Sequence, residues 1–164
     1  MHTIRKAKLK DAETIQSLAH EIWYDAYLPI LAEAQLEYML KEIYSVEKLS
    51  AQIKNNEQTY LLLLEDEQPV AFAAYSLRVE NPDIYKLHKI YCLPITQGKG
   101  YGKLLINEIS DAVLKAGKHI LELNVNRYNK AKSFYEKMGF KVIYEEDVPI
   151  GPYFMNDYVM RKEL

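Results

Sequence analysis

Three glycines within five residues, Gly98, Gly100 and Gly102, stand between a stretch of strand character and a long helical stripe. No other feature constrains the chain as much. Glycine reaches left-handed backbone conformations without steric cost, so the chain can turn tightly here and let a ligand approach its backbone. Upstream, 85–93 reads as a strand stopped by Pro94. Downstream, Tyr101, Leu104, Leu105, Ile109, Ala112, Val113 and Ala116 recur at helical spacing, and Gly117 suits the C-cap. The stretch 120–125 then reads as a strand with Leu121, Leu123 and Val125 on one face. Strand, helix and strand in that order predict a crossover and a locally parallel pair.

The remaining chain switches between the helical and strand periods. A short strand is expected at 3–7. Asp11 is a candidate N-cap, because its carboxylate can accept from orphan backbone N–H groups. Behind it Ile15, Leu18, Ala19, Ile22 and Ala26 form one helical stripe, which Pro29 interrupts. Leu36, Met39, Leu40 and Ile43 mark a second helix, and Val46, Leu49 and Ile53 a short third one after Ser45. Strands follow at 60–64 and 70–79, joined by a polar turn at 65–69, and Asn81-Pro82-Asp83 makes another turn. Ala131, Phe134, Tyr135 and Met138 give a further helix closed by Gly139, and 141–147 and 153–162 are the last strands. The order is β-α-α-α-β-β-β-α-β-α-β-β. Hairpins plus one crossover predict an α+β fold with a mixed sheet. No repeat or Gly/Ser linker divides the chain, so 1–164 is expected to be a single domain.

Composition narrows the function. With 49% apolar and 27% charged residues among 164, a buried core is expected rather than disorder. A formal charge of −2 argues against a duplex-binding domain and for no nucleic-acid partner. The apolar run at 60–64 is five residues long, far short of the ~18–20 of a membrane helix, so no membrane partner is expected. The N-terminus has no apolar signal segment, and the one cysteine, Cys92, cannot form an internal disulfide. A cytoplasmic protein is expected. No His/Cys group has zinc spacing, so no metal is expected.

The glycine loop, Gln97-Gly98-Lys99-Gly100-Tyr101-Gly102-Lys103, runs into the start of a helix, where unpaired N–H groups and the positive dipole end favour an anion. Lys99 and Lys103 add positive charge. The Walker pattern fails, since Gly102-Lys103 is followed by Leu104. The dinucleotide pattern G-x-G-x-x-G fails because its last position is Lys103. What fits is Gln-x-x-Gly-x-Gly, at Gln97, Gly100 and Gly102.

With Ile90-Tyr91-Cys92-Leu93-Pro94 before it and Leu104-Leu105 after it, this loop resembles the coenzyme-binding segment of the GNAT superfamily of acyl-CoA-dependent N-acetyltransferases. Asn129-Lys130-Ala131 through Phe134-Tyr135-Glu136-Lys137-Met138-Gly139-Phe140 is similar to the second hallmark segment of that superfamily. The opening Ile4-Arg5-Lys6-Ala7 with Asp11-Ala12 and the closing Asp157-Tyr158-Val159-Met160 also fit. Essentially the whole chain is covered. The stretch 23–49 resembles the branch that includes bacterial polyamine acetyltransferases.

The resemblance implies a mixed, mostly antiparallel sheet with one splayed parallel pair, flanked by helices. It implies acetyl-CoA as cosubstrate and a small-molecule amine as acceptor. The N–H groups of Gly98, Lys99, Gly100, Tyr101, Gly102 and Lys103, beside Gln97, would hold the pyrophosphate. The backbone of Ile90, Tyr91 and Cys92 would pair with the pantetheine arm, and Asn129 is a further candidate contact. Cys92 N–H would face the developing oxyanion. A primary amine, such as a polyamine, would attack the acetyl carbonyl directly. A protein N-terminus or lysine is the alternative acceptor, and a non-catalytic coenzyme sensor or a nucleotide-phosphate binder the alternative class. Such transferases often form homodimers, although no interface is readable in the chain.

Attack requires a neutral amine and the departing thiolate gains from an acid. The resemblance makes Tyr135 the acid. Its place in the stripe with Ala131, Phe134 and Met138 equally describes a core residue. His88, two residues before Ile90, is the candidate base, because imidazole titrates near neutral pH. A strand histidine bonded to backbone or water, or a water chain as base, fits the same residues. Other members carry a glutamate where this chain has Asn124, which cannot accept a proton. Trp23, Tyr24 and Tyr27 are candidates for the amine pocket, since aromatic faces hold cations. Glu21, Asp25, Glu33 and Glu37 could attract a polyamine or simply face water.

Overall fold

A computed structural model describes residues 1–164. The strands are β1 (His2–Lys6), β2 (Thr59–Glu65), β3 (Gln68–Leu77), β4 (Ile84–Cys92), β5 (Ile120–Asn126), β6 (Lys141–Ile150) and β7 (Tyr153–Glu163). The helices are α1 (Ala12–Tyr27), α2 (Glu33–Tyr44), α3 (Val46–Lys54), α4 (Tyr101–Lys115) and α5 (Ala131–Lys137). This element order matches the one expected from the sequence periods.

One seven-stranded sheet has the order β1-β2-β3-β4-β5-β7-β6. Only β4 and β5 are parallel, joined by the α4 crossover, and every other pair is antiparallel. Both faces of the sheet are covered. This is why β2 reads as an unbroken apolar run rather than an alternating one. Leu61 and Leu63 pack with Leu105, Ile106, Ile109 and Val113 of α4. Tyr60 and Leu62 point the other way, against Ile15, Ile22, Leu36, Leu40 and Leu49 of α1, α2 and α3. No helix is long and apolar enough to cross a membrane.

Three local expectations need correction. Asp11 does not cap α1 with its side chain; its Oδ2 accepts from Lys8 N–H at 2.7 Å and from Arg5 at 2.8 Å. A 3₁₀ turn at Leu9–Asp11 precedes the helix and takes the carboxylate for itself. The hairpin between β2 and β3 is tighter than a turn over 65–69. Asp66 and Glu67, at φ 47° and 68°, make it alone, so β3 starts at Gln68 and ends at Leu77. The last hairpin is longer than expected, with β6 reaching Ile150. Ser45, by contrast, caps α3 by accepting from Lys48 N–H at 3.2 Å.

Candidate active site

The parallel ladder between β4 and β5 runs from Ile84↔Ile120 to Leu87↔Leu123 and stops. A bulge sits at its last rung. Tyr75 pairs with Leu87 and Ala74 with Lys89, so His88 has no partner across β3. Such an extra residue bends its strand. Beyond it the β5-facing edge of β4 is unpaired, while β5 continues against β7 through Asn126↔Asp157. Leu93 N–H donates to Val70 O at 2.9 Å. Bonded and non-bonded pairs alternate in an antiparallel ladder, so Tyr91 bonds to Phe72, while the backbone groups of Ile90 and Cys92 face the gap. Of the three residues expected to present backbone here, Tyr91 contributes its side chain instead.

A cavity of about 550 Å³ fills the gap and is lined by Ile90, Cys92, Gln97, Asn129, Phe134 and Tyr135, among others. A second cavity, of about 350 Å³, lies under α1, α2 and α3 and is lined by Trp23, Tyr44, Lys48, Asn126 and Asp157, among others. Tyr27, His88, Lys89, Tyr91 and Asn124 line both. The two cavities therefore lie side by side where the strands part, with these five residues as their common wall.

At the end of the first cavity Gln97 leads into the glycine loop. Gly98 and Gly100 hold φ of 86° and 78°, the left-handed region that glycine favours. The N–H groups of Gly98, Gly100, Tyr101, Gly102 and Lys103 donate to no carbonyl of the chain. These donors, at the positive end of the fifteen-residue α4, fit a pyrophosphate. Gly102 serves differently, since a Cβ there would lie 3.1 Å from Cζ of Phe134, a wall of the cavity. The Lys99 ammonium is taken up by Glu65 at 2.7 Å, and the Tyr101 hydroxyl donates to the same carboxylate. Tyr101 packs in the core, so only its backbone is available to a ligand.

Both residues of the expected catalytic pair line the first cavity, and His88 also lines the second. Tyr135 is buried, with its ring edge-on to Phe140, and burial pushes its hydroxyl pKa further up. It stays a protonated donor at neutral pH. His88 lines both cavities with its side chain exposed, and its Nε2 lies 2.7 Å from Ser76 Oγ. Desolvation, then the charges of Lys89 and Lys86, lower its pKa to about 4. It is a neutral ring at pH 7 and a weak proton acceptor, unlike the near-neutral base expected. Burial raises the Cys92 thiol to about 11, so it is not a thiolate nucleophile.

Asn129 caps the turn into α5, with Oδ1 accepting from Ala131 N–H at 2.9 Å and Nδ2 turned toward Tyr27 Oη at 3.5 Å. The rings of Trp23 and Tyr27 pack tilted, with centroids 4.6 Å apart, beside the second cavity. Tyr24 does not join them; it points away, donating to Glu37 over a separate hollow. Glu21, Asp25, Glu33 and Glu37 are exposed. Lys89 is buried, donates to Gln58 at 2.8 Å and Tyr60 at 2.7 Å, and has its pKa lowered to about 7 by burial and by Lys48. No three His, Cys, Asp or Glu side chains form a metal-binding group.

The sequence reading missed Asp157. It is 7% exposed, lines the second cavity, and accepts from Asn124 Nδ2 at 3.1 Å through Oδ2. Its Oδ1 has no partner. The signal was an acid between Met155 and Val159 on an inward-facing strand register.

Residues 27–159 match the family described as the acetyltransferase (GNAT) domain. A spermidine N(1)-acetyltransferase of Thermoplasma acidophilum is 30% identical over 165 residues, covering 98% of this chain and 96% of that one. The crystal structure of PaiA N-acetyltransferase from Thermoplasma acidophilum in complex with coenzyme A superposes with a TM-score of 0.86 at 30% identity, over 100% of this chain and 99% of that one. A ribosomal protein bS18-alanine N-acetyltransferase of Haemophilus influenzae is 33% identical over 94 residues, 56% of this chain and 62% of that one.

Proposed function

The chain belongs to the acetyltransferase (GNAT) family, and from that premise we propose that it transfers an acetyl group directly to a primary amine, with both substrates bound at once. One observation carries this reading: a slot with backbone donors and a second cavity lie side by side and share five lining residues, Tyr27, His88, Lys89, Tyr91 and Asn124. Acetyl-CoA supplies the activated acetyl thioester.

The residues divide the work as follows. The N–H groups of Gly98, Gly100, Tyr101, Gly102 and Lys103 hold the pyrophosphate against the positive end of α4, while Lys99 N–H, expected among them, is spent on Thr96 O at 3.1 Å. Ile90 and Cys92 offer their slot-facing backbone to the pantetheine arm, as a sheet edge does to an added strand. Cys92 N–H donates toward the oxyanion. Asn129 and Tyr27, joined at 3.5 Å, line the same slot. Tyr135 donates its proton to the sulfur as it leaves, and its raised pKa keeps that proton available. His88, neutral in the common wall of the two cavities, hydrogen-bonds the attacking nitrogen.

The favoured acceptor is a polyamine or other small amine. The full-length similarity to a spermidine acetyltransferase and the aromatic wall of Trp23 and Tyr27 support it. A protein N-terminus is the second reading, supported by the partial similarity to the alanine N-acetyltransferase. Thermal-shift titration with acetyl-CoA, followed by thiol release against spermidine, spermine, lysine peptides and N-terminal peptides, tests the proposal. Stabilisation with release on one amine is expected. Stabilisation without release on any would favour a coenzyme sensor, and no stabilisation would remove the loop assignment.

A further inference from the structure

The attacking amine arrives as an ammonium and must lose a proton. The group usual on the strand after the crossover is absent, because that position is Asn124, and His88 holds a proton poorly. A buried carboxylate nonetheless faces the cavity. Asp157 sits on β7, one strand beyond β5, with Oδ2 tied to Asn124 and Oδ1 bare. A buried carboxylate oxygen without a partner is costly, and its retention suits a cationic ligand. Asn124, which lines both cavities, orients it from below.

Resting on the transferase reading above, we propose that Asp157 binds the acceptor's reactive ammonium and accepts its first proton. The class of acceptor is thereby a cationic aliphatic amine. An N–H bond breaks as an O–H bond forms on Asp157. The freed lone pair makes the N–C bond while the C–S bond breaks. The second nitrogen proton replaces the one that Tyr135 gives to the thiolate, and Asp157 returns its proton to solvent. One proton is released per acetylamide formed.

The charged and titratable groups that act on Asp157 are Lys86 from β4, Glu146 from β6, Arg127 from the turn after β5 and Tyr27 from α1, and Lys48 of α3 with His88 and Lys89 of β4 line the same cavity. Burial raises the Asp157 pKa above that of a free aspartate, and Glu146 adds to this against the Asn124 hydrogen bond and the charges of Lys86 and Arg127. The raised pKa brings the group closer to a useful base. It also means that the ionised form is held at the expense of folding stability.

The test compares wild type with Asp157→Asn and Asp157→Glu, using spermidine and an N-terminal alanine peptide as probes. With whichever probe wild type acetylates, Asp157→Asn should lower kcat/KM about 100-fold and lose the acid limb of its pH profile. Coenzyme A affinity should be unchanged by calorimetry, Tm unchanged or higher, and Asp157→Glu partly active. Unchanged kcat/KM in Asp157→Asn, or a parallel loss of coenzyme affinity and Tm, overturns the proposal. Activity on the peptide alone removes the polyamine reading and leaves Asp157 to be judged on the peptide. If wild type turns over neither probe, the transferase reading fails for both. Spermidine binding to the coenzyme A-loaded protein then decides Asp157: about tenfold weaker binding in Asp157→Asn upholds the ammonium site, and equal or absent binding sinks it.

Discussion

The hydroxyls of Tyr27 and Tyr91 lie 3.3 Å apart, joining α1 to β4 where the two cavities lie side by side. Asn129 Nδ2 reaches the same Tyr27 oxygen at 3.5 Å. Tyr27→Phe would keep the tilted ring packing on Trp23 but strip the hydroxyl from both neighbours. One lost hydrogen bond is worth about 1 kcal/mol, or about fivefold in an equilibrium constant. The expected result is a KM for the acceptor raised about fivefold with little change in coenzyme A affinity, read by thiol release and calorimetry. A coenzyme affinity that falls while the acceptor KM holds would place Tyr27 on the slot alone.

Tyr135→Phe removes the proposed acid and nothing else of the packing against Phe134 and Phe140. General acids typically contribute about 10²–10⁴-fold, so kcat should fall at least about 100-fold. Coenzyme affinity and Tm should stay near wild type. An unchanged single-turnover rate would return Tyr135 to the core, where its helical stripe equally puts it.

The glycines separate two effects that a sequence cannot. Gly100→Ala places a Cβ in open space at φ 78°. Its cost is left-handed strain of about 1–2 kcal/mol, and relaxing that strain would turn the loop N–H groups off the pyrophosphate. Lower Tm and weaker coenzyme binding are expected together. Gly102→Ala has ordinary φ but meets Phe134 at 3.1 Å, so it should weaken coenzyme binding with a smaller loss of Tm. Equal effects from both variants would contradict this division.

Much of this was legible because periods and punctuation agree. Leu104, Leu105, Ile109 and Val113 announce α4, and the crossover then demands a parallel pair. The splay was expected only from the family resemblance; no period or spacing shows it, because it depends on His88 being passed over in the β3 register, a pairing decided between strands. The same gap hid Asp157, which lies 33 residues from Asn124 in the chain and meets it only through the β5–β7 register. Tyr24 misled because its aromatic type was weighed ahead of its spacing: Trp23, four residues after Ala19, falls on the apolar stripe and is buried, whereas Tyr24 falls off it and is half-buried.

His88 offers a pH test. Its folded pKa of about 4 lies below the ordinary 6.5, so between those values the unfolded chain binds the extra proton. Folding stability should therefore fall as pH drops from about 6.5 toward 4. His88→Gln should flatten that part of the curve in urea melts. Wild-type rates should show no bend near 6.5 that His88→Gln abolishes; such a bend would restore the near-neutral base expected from the sequence.

Lys89 carries the largest stability consequence. It is 6% exposed and has no carboxylate partner, only Gln58, Tyr60 and the faces of Tyr44 and Tyr60 at 5.8 and 5.0 Å. Its folded pKa of about 7 sits below the ordinary 10.5, so between them the unfolded state binds more protons and stability rises with pH. The difference of 3.5 units (10.5 − 7) sets an upper bound of about 5 kcal/mol across that window. Methionine matches the lysine stem in shape, and Tyr60 keeps its donation to Gln52 at 2.5 Å without the amine. Lys89→Met should therefore be more stable than wild type at pH 7, and the two urea midpoints should converge as pH approaches 10. Parallel curves across that range would mean that the ammonium finds solvation inside the second cavity, which would then have to be treated as wet around Lys89.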